Sequence, residues 1–205
     1  MNQLYLNEIE RFGLEKLIAG ADEAGRGPLA GPVVTAAVIL DRTFIIEGVN
    51  DSKKLSESKR ESLFANIIES AISYSIEIVG PAEIDRINIL QASLEGMSKS
   101  INNLNVTPEY CLIDGNKLPK SLLLPSEAVI KGDGIYACIA TASILAKVTR
   151  DRIMIELDGK YPQYGFKRNK GYPTKEHLQA IKKYGITKHH RLTFGPCVQQ
   201  TLSFF

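Results

Sequence analysis

No run of about 18 consecutive apolar residues occurs in the chain, so no segment is expected to cross a membrane as a helix. Cysteine is scarce: Cys111, Cys138 and Cys197 are odd in number, widely spaced and never in a C-x-x-C pair. Neither a disulfide framework nor a structural zinc site is expected. Three small buried apolar side chains are, and a reducing cytoplasm fits. Met1 to Arg11 lacks the basic start and apolar stretch of a secretory signal. Histidine is rare and late: His177, His189 and His190 read as structural or surface residues, and at most His177 is expected near a site. With no repeat, low-complexity tract or Pro/Ser-rich linker, the 205 residues are expected to form one domain. A core over about 17–158 would be followed by a basic helical segment over about 159–205. A monomer is expected from size.

What is present is an ordinary globular balance, 44% apolar and 23% charged, which excludes disordered and collagen-like classes. Net charge is only +2, but it is unevenly placed. Lys147 to Arg191 carries 12 Lys and Arg against 4 Asp and Glu, a local +8, which leaves −6 for the rest. A basic stretch beside an acidic one suits a polyanion held against a cation-loaded carboxylate site. On charge alone, a solvated charged face explains it equally well.

Leu17 to Glu23 and the β-branched run Pro32 to Leu40 read as strands, expected to pair as a hairpin around the Gly- and Pro-rich turn A-G-R-G-P-L-A-G-P. Thr43 to Ile46 reads as a short third strand. A helix capped by Ser56 or Ser58 follows, the latter forming a capping-box pattern with Glu61. Tyr74 to Val79 is a strand. Pro81 opens a helix carrying Ile84, Ile87, Leu90, Leu94 and Met97. Tyr110 to Ile113 and Glu127 to Ile130 are short strands. A long, mostly apolar helix over about Tyr136 to Leu157 is expected to lie deep in the fold, and Thr174 caps a shorter one through Lys183. This order implies an α/β fold, a mixed central sheet flanked by helices with a helical C-terminal segment.

Asp22 and Glu23 end the first strand, Asp114 ends another and Asp133 follows a third, and ligands in open α/β sheets gather at strand ends. A knot of carboxylates repels itself unless a cation neutralises it, and hard oxygen donors without His or Cys favour Mg²⁺ or Mn²⁺ over zinc. Two such ions about 3.5–4 Å apart can align an attacking water and a leaving oxygen at phosphorus. Each acid alone is weak: an Asp before Gly is more often a turn residue. Strict alternation also puts Asp22 and Glu23 on opposite faces, so Glu23 must reach round the strand end.

The motifs together resemble the ribonuclease HII family. G-A-D-E-A-G-R-G-P-L-A-G-P-V (Gly20 to Val33) is similar to its opening motif, and Asp51-Ser52-Lys53-Lys54-Leu55 to its D-S-K-x-L element. Asp114-Gly115 matches its third carboxylate, and Lys131 to Asp151 its fourth-carboxylate loop and helix. Tyr161 to His177 and H-R-L-T-F complete the order. The stretch after Asp133, Gly-Ile-Tyr, departs from the small polar residues expected there.

The resemblance implies a ribonuclease H-like fold and an endonuclease acting on RNA·DNA hybrids and on ribonucleotides embedded in duplex DNA, leaving 3′-hydroxyl and 5′-phosphate ends. It implies Asp22, Glu23, Asp114 and Asp133 as catalytic metal ligands, two Mg²⁺ or Mn²⁺ ions with substrate bound, and Asp22 as the bridge. Gly25, Arg26 and Gly27 would contact the ribose 2′-hydroxyl, the group that distinguishes RNA from DNA at one nucleotide. Tyr172 would pack on the following sugar. Lys53, Ser143, Lys147 and Arg150 would meet phosphates, the last three sharing one helix face. Lys167, Arg168 and Lys170 extend the track or form a surface loop. The rival readings are a silent nucleic-acid-binding module and a junction resolvase on the same fold.

Overall fold

The computed structural model describes residues 2–202, with side chains to 198. Five strands form one mixed sheet in the order β3-β2-β1-β4-β5: β1 (Ile18–Ala24), β2 (Val33–Leu40), β3 (Ala71–Val79), β4 (Tyr110–Asp114) and β5 (Ser126–Val129). β1, β2 and β3 are antiparallel, and β4 and β5 run parallel to β1. The expected pairing of the first two strands holds.

Strand alternation sends side chains to two cores. Ile18, Val34, Ala36, Val38 and Leu112 face α1 (Gln3–Phe12), α2 (Glu57–Ser70) and α5 (Ala137–Lys160). Ala19, Ala21, Ala37, Ile39 and Ile113 face α4 (Ile89–Asn102) through Leu94, Met97 and Ile101. Every residue of β2 is buried, as a central strand covered on both faces requires. A third core, with Leu29, Met154, Leu157, Tyr164 and Phe166, joins the C-terminal half of α5 to α6 (Phe166–Asn169) and α7 (Lys175–Tyr184). A last helix, α8, spans Gly195–Leu202. All three cysteines are buried.

Two local expectations are corrected, and a choice between two caps is settled. Thr43 to Ile46 is not a strand. Asp41 Oδ1 accepts from the Thr43 backbone N–H at 2.8 Å and hydroxyl at 2.6 Å, closing a turn that competes with extension. The helix after the D-S-K-K-L loop is capped by Ser56, which accepts from Lys59 N at 3.2 Å. Glu61 pairs instead with Arg152 of α5. The helix opened by Pro81 is two helices, α3 (Pro81–Ile87) and α4, broken at Asn88. Asn88 sits at φ 66° and ψ 161°, a backbone conformation outside both the helical and the left-handed helical regions, and its side chain accepts from Gln91 N to start α4.

The start of α5 is braced from the far end of the sequence. Buried Glu8 of α1 accepts from Cys138 N at 3.0 Å, placing a carboxylate at the helix's positive end. Asn7 donates to Ile135 O at 2.9 Å, just beyond Asp133.

Candidate active site

The last register pair between β1 and β4 is Ala21–Ile113, so Asp22 and Asp114 come next on neighbouring parallel strands. On β1, Ile18, Gly20 and Asp22 share the face toward α5, while Glu23 takes the α4 side. The alternation read from the sequence therefore holds. Both carboxylates still border one cleft of about 280 Å³, because the strand ends there and the chain turns away at Gly25. Asp114 completes the acidic lining. Asp133 lies one turn past β5 in a neighbouring recess, and Lys53 lines both.

Backbone bonds fix these positions. Asp114 Oδ1 accepts from Gly132 N at 2.7 Å, tying β4 to the turn that carries Asp133. That turn enters through Lys131, left-handed at φ 57°. Asp22 accepts from Glu23 N at 2.6 Å and meets the Ser143 hydroxyl of α5. Lys53 Nζ lies 3.4 Å from Asp133 Oδ2.

The electrostatics are those of a crowded anionic site. Burial, then repulsion from Glu23 and Asp114, pushes the Asp22 carboxyl well above the usual carboxylate range. Burial also raises Glu23, opposed by Arg26, and raises Asp114, opposed by the Gly132 N–H and reinforced by Asp133. Burial works to lower the Lys53 ammonium, but Asp133, Asp22 and Asp51 outweigh it and hold it above its ordinary value. Among the described residues, no group of three or more His, Cys, Asp or Glu side chains stands close enough to hold a metal ion as placed. The donor set is hard oxygen throughout and repels itself, which fits Mg²⁺ or Mn²⁺ and not zinc.

The Gly25–Arg26–Gly27 loop lines the same cleft. Gly25 adopts φ 99°, and a Cβ there would lie 2.0 Å from Arg150 Nε and 2.9 Å from Pro32 O, so only glycine fits. Two buried arginines hold this loop by its carbonyls. Arg191 donates to Gly25 O at 2.6 Å, Arg26 O at 2.9 Å and Gly31 O at 3.1 Å. Arg150 donates to Pro32 O and Ala30 O. Burial, then the Arg150 charge, lowers Arg191 to about 9. Half-exposed Tyr172 faces the loop: a Cβ on Gly27 would sit 3.5 Å from its Cε1. The Arg150 guanidinium lies 6.0 Å from its ring centre.

Gly25, Arg26, Gly27, Lys53, Ser143, Lys147 and Tyr172 all line the same cleft as the three acids. Some have other partners. Ser143 shares a hydrogen bond with Ser52 at 2.9 Å, Lys147 pairs with Asp151 at 2.7 Å, and Arg26 reaches Glu23 at 3.5 Å. Arg150 is corrected as a phosphate contact. It borders the cleft but is 1% exposed, and its Nε and one terminal nitrogen are spent on Pro32 O and Ala30 O, which makes it a brace of the loop. Arg168 pairs with Glu176, and Lys170 folds back on Lys167 O. Arg191 was not foreseen. An arginine in a basic stretch reads as solvated, and only the folded loop shows the carbonyls it serves.

The family model for ribonuclease HII matches residues 19–197. A ribonuclease HII from Marinomonas sp. (strain MWYL1) is 54% identical over 188 residues, covering 92% of this chain and 94% of its own. Among solved structures, the ribonuclease H2 of Pyrococcus horikoshii OT3 is 32% identical with a TM-score of 0.78, covering 92% of this chain and 98% of its own. The ribonuclease HII of Archaeoglobus fulgidus, solved in complex with PCNA, is 29% identical with a TM-score of 0.71, covering 87% and 95%. The fold is thus ribonuclease H-like, and the chain belongs to the ribonuclease HII family of metal-dependent endonucleases.

Proposed function

We propose that this chain hydrolyses the RNA strand of RNA·DNA hybrids, and single ribonucleotides embedded in duplex DNA, by two-metal-ion catalysis that leaves 3′-hydroxyl and 5′-phosphate ends. The observation that carries the reading is that one cleft is lined both by the carboxylates of Asp22, Glu23 and Asp114 and by the Gly25–Gly27 loop and Tyr172. Asp22, Glu23, Asp114 and Asp133 would hold the cations. When bound, Mg²⁺ or Mn²⁺ lowers the pKa of the attacking water and stabilises the departing 3′ oxygen.

The remaining steps belong to the chain's own groups. With their carbonyls drawn inward by Arg191, the Gly25–Gly27 peptides are free to offer N–H groups to a 2′-hydroxyl and its phosphate. A deoxyribose would pack flush on Tyr172, and an added hydroxyl would not. Lys53 and Lys147 supply positive charge to the backbone, and the basic α6–α7 region extends it along the duplex. The same reading takes the enzyme as a cytoplasmic monomer acting in DNA replication and repair. Among the described residues, no helix is long and apolar enough to cross a membrane.

The test is cleavage, with Mg²⁺ or Mn²⁺, of a duplex containing one ribonucleotide beside an all-DNA duplex of the same sequence. Cutting confined to the ribonucleotide is expected. Equal cutting of both would replace this reading with a junction or DNA nuclease.

A further inference from the structure

Beneath Tyr172 lies a pair of histidines that the chemistry above does not use. His177 of α7 and His190 are 0% and 1% exposed, with their Nε2 atoms 3.2 Å apart. The rings sit in an aromatic box. Tyr164 meets both edge-on, at 6.2 Å and 5.0 Å between ring centres, and Phe166 meets His177 edge-on at 5.3 Å.

Each end of the pair fixes a proton independently. His177 Nδ1 lies 3.0 Å from Tyr172 O, and a carbonyl only accepts, so His177 carries its proton on Nδ1. The Thr187 backbone N–H donates to His190 Nδ1 at 3.0 Å, so that nitrogen is bare. A neutral His190 must then be protonated on Nε2, and a neutral His177 must be bare there. The two requirements meet at one bond, His190 Nε2–H to His177 Nε2. Had the ends demanded the same tautomer, two N–H groups or two lone pairs would face each other in a dry box. Both imidazoles are lowered by burial, His190 to about 4, in keeping with a neutral pair. The Glu176 charge opposes the lowering of His177, and His177 and His189 add to that of His190.

The relay joins the two recognition elements. Its outer end is the backbone of Tyr172. Its inner end is the turn bearing His190 and Arg191, which is laced to the Gly25–Gly27 loop through the Ala30–His190 bridge and the bonds of Arg191 to Gly25 O and Arg26 O. We propose that His177 and His190 are positioning residues, a one-way hydrogen-bond relay from Thr187 N–H to Tyr172 O that sets Tyr172 at a fixed spacing from the Gly25–Gly27 loop. This rests on the role given to Tyr172 above.

The test begins with the unmodified protein. Long-range ¹H–¹⁵N correlation spectra at neutral pH should show His177 as the Nδ1–H tautomer and His190 as the Nε2–H tautomer. His177 protonated on Nε2, or a charged ring on either residue, overturns the relay. His177→Leu should lower kcat/KM at a single embedded ribonucleotide about tenfold, the effect of losing one buried hydrogen bond. The half-saturating Mg²⁺ concentration should not move. His177→Asn, which keeps a donor for Tyr172 O, should restore most of the loss. His177→Leu cutting like the parent while Tyr172→Ala is impaired also overturns the proposal. If Tyr172→Ala is itself unimpaired, the role of Tyr172 falls and the positioning claim falls with it, whatever the tautomers.

Discussion

Replacing Gly20 by alanine tests how tightly β1 must seat on α5. Gly20 lies two residues before Asp22 on the same strand face, where the strand touches the helix backbone. An added Cβ would stand 2.3 Å from the Cys138 carbonyl carbon and 2.4 Å from Ile139 N. Carbon atoms in good contact stand about 3.5–4.0 Å apart, so strand and helix must separate by roughly 1 Å. Overpacking of this kind costs about 1–3 kcal/mol. Here both colliding groups are backbone and neither can rotate away, so about 3 kcal/mol is expected. For a domain of this size that lowers the melting temperature by roughly 6–12 °C. The same shift would move Asp22 away from Ser143 and Asp133, and a misplacement of about 1 Å can cost on the order of 100-fold in rate. The assay is a thermal melt paired with kcat/KM on a single-ribonucleotide duplex well below the melting temperature. A variant that melts within about 2 °C of the parent and cuts within about twofold would refute the close approach of β1 to α5.

Without divalent cations, Asp22→Asn should melt higher than the parent, because burial and its neighbours penalise that charge, while cleavage is abolished; a lower melting temperature would count against the crowding. Tyr172→Ala should impair cleavage at an embedded ribonucleotide without lowering the melting temperature, and equal loss on every substrate with unchanged binding would remove its role in reading the junction. His190 gives a pH signature. Its folded pKa of about 4 lies below the ordinary 6.5, so the unfolded chain takes up that proton first, and this contribution to stability is lost as pH falls from about 6.5 toward 4. The raised carboxyls of Asp22, Glu23 and Asp114 act in the opposite sense, so the readout is the difference from His190→Gln: the parent's urea midpoint should fall further across that window, and parallel curves would contradict it.

The sheet and the acids were legible because their signals are local. The β-branched run of β2, Asp114 before its glycine and the Thr174 cap each follow from a few adjacent residues. Asn88 and the turn at Asp41 were not, since a side chain closing on its own backbone can override a periodic pattern. Arg150 shows the limit of helical spacing. It shares a face with Ser143 and Lys147, yet what it meets depends on the Gly25–Pro32 connection far away in sequence. Arg191 and the His177–His190 pair were hidden for the same reason, as their partners lie on segments that only the fold brings together.

Asp22, Glu23, Asp114 and Asp133 are proposed to share divalent cations at the scissile phosphate. Titrating Mn²⁺ into the protein with an uncleavable ribonucleotide-containing duplex, followed by electron paramagnetic resonance, counts the ions they hold. Two ions per chain are expected for the parent, with binding lost or sharply weakened in Asp22→Asn. Undiminished Mn²⁺ binding by that variant would contradict the claim.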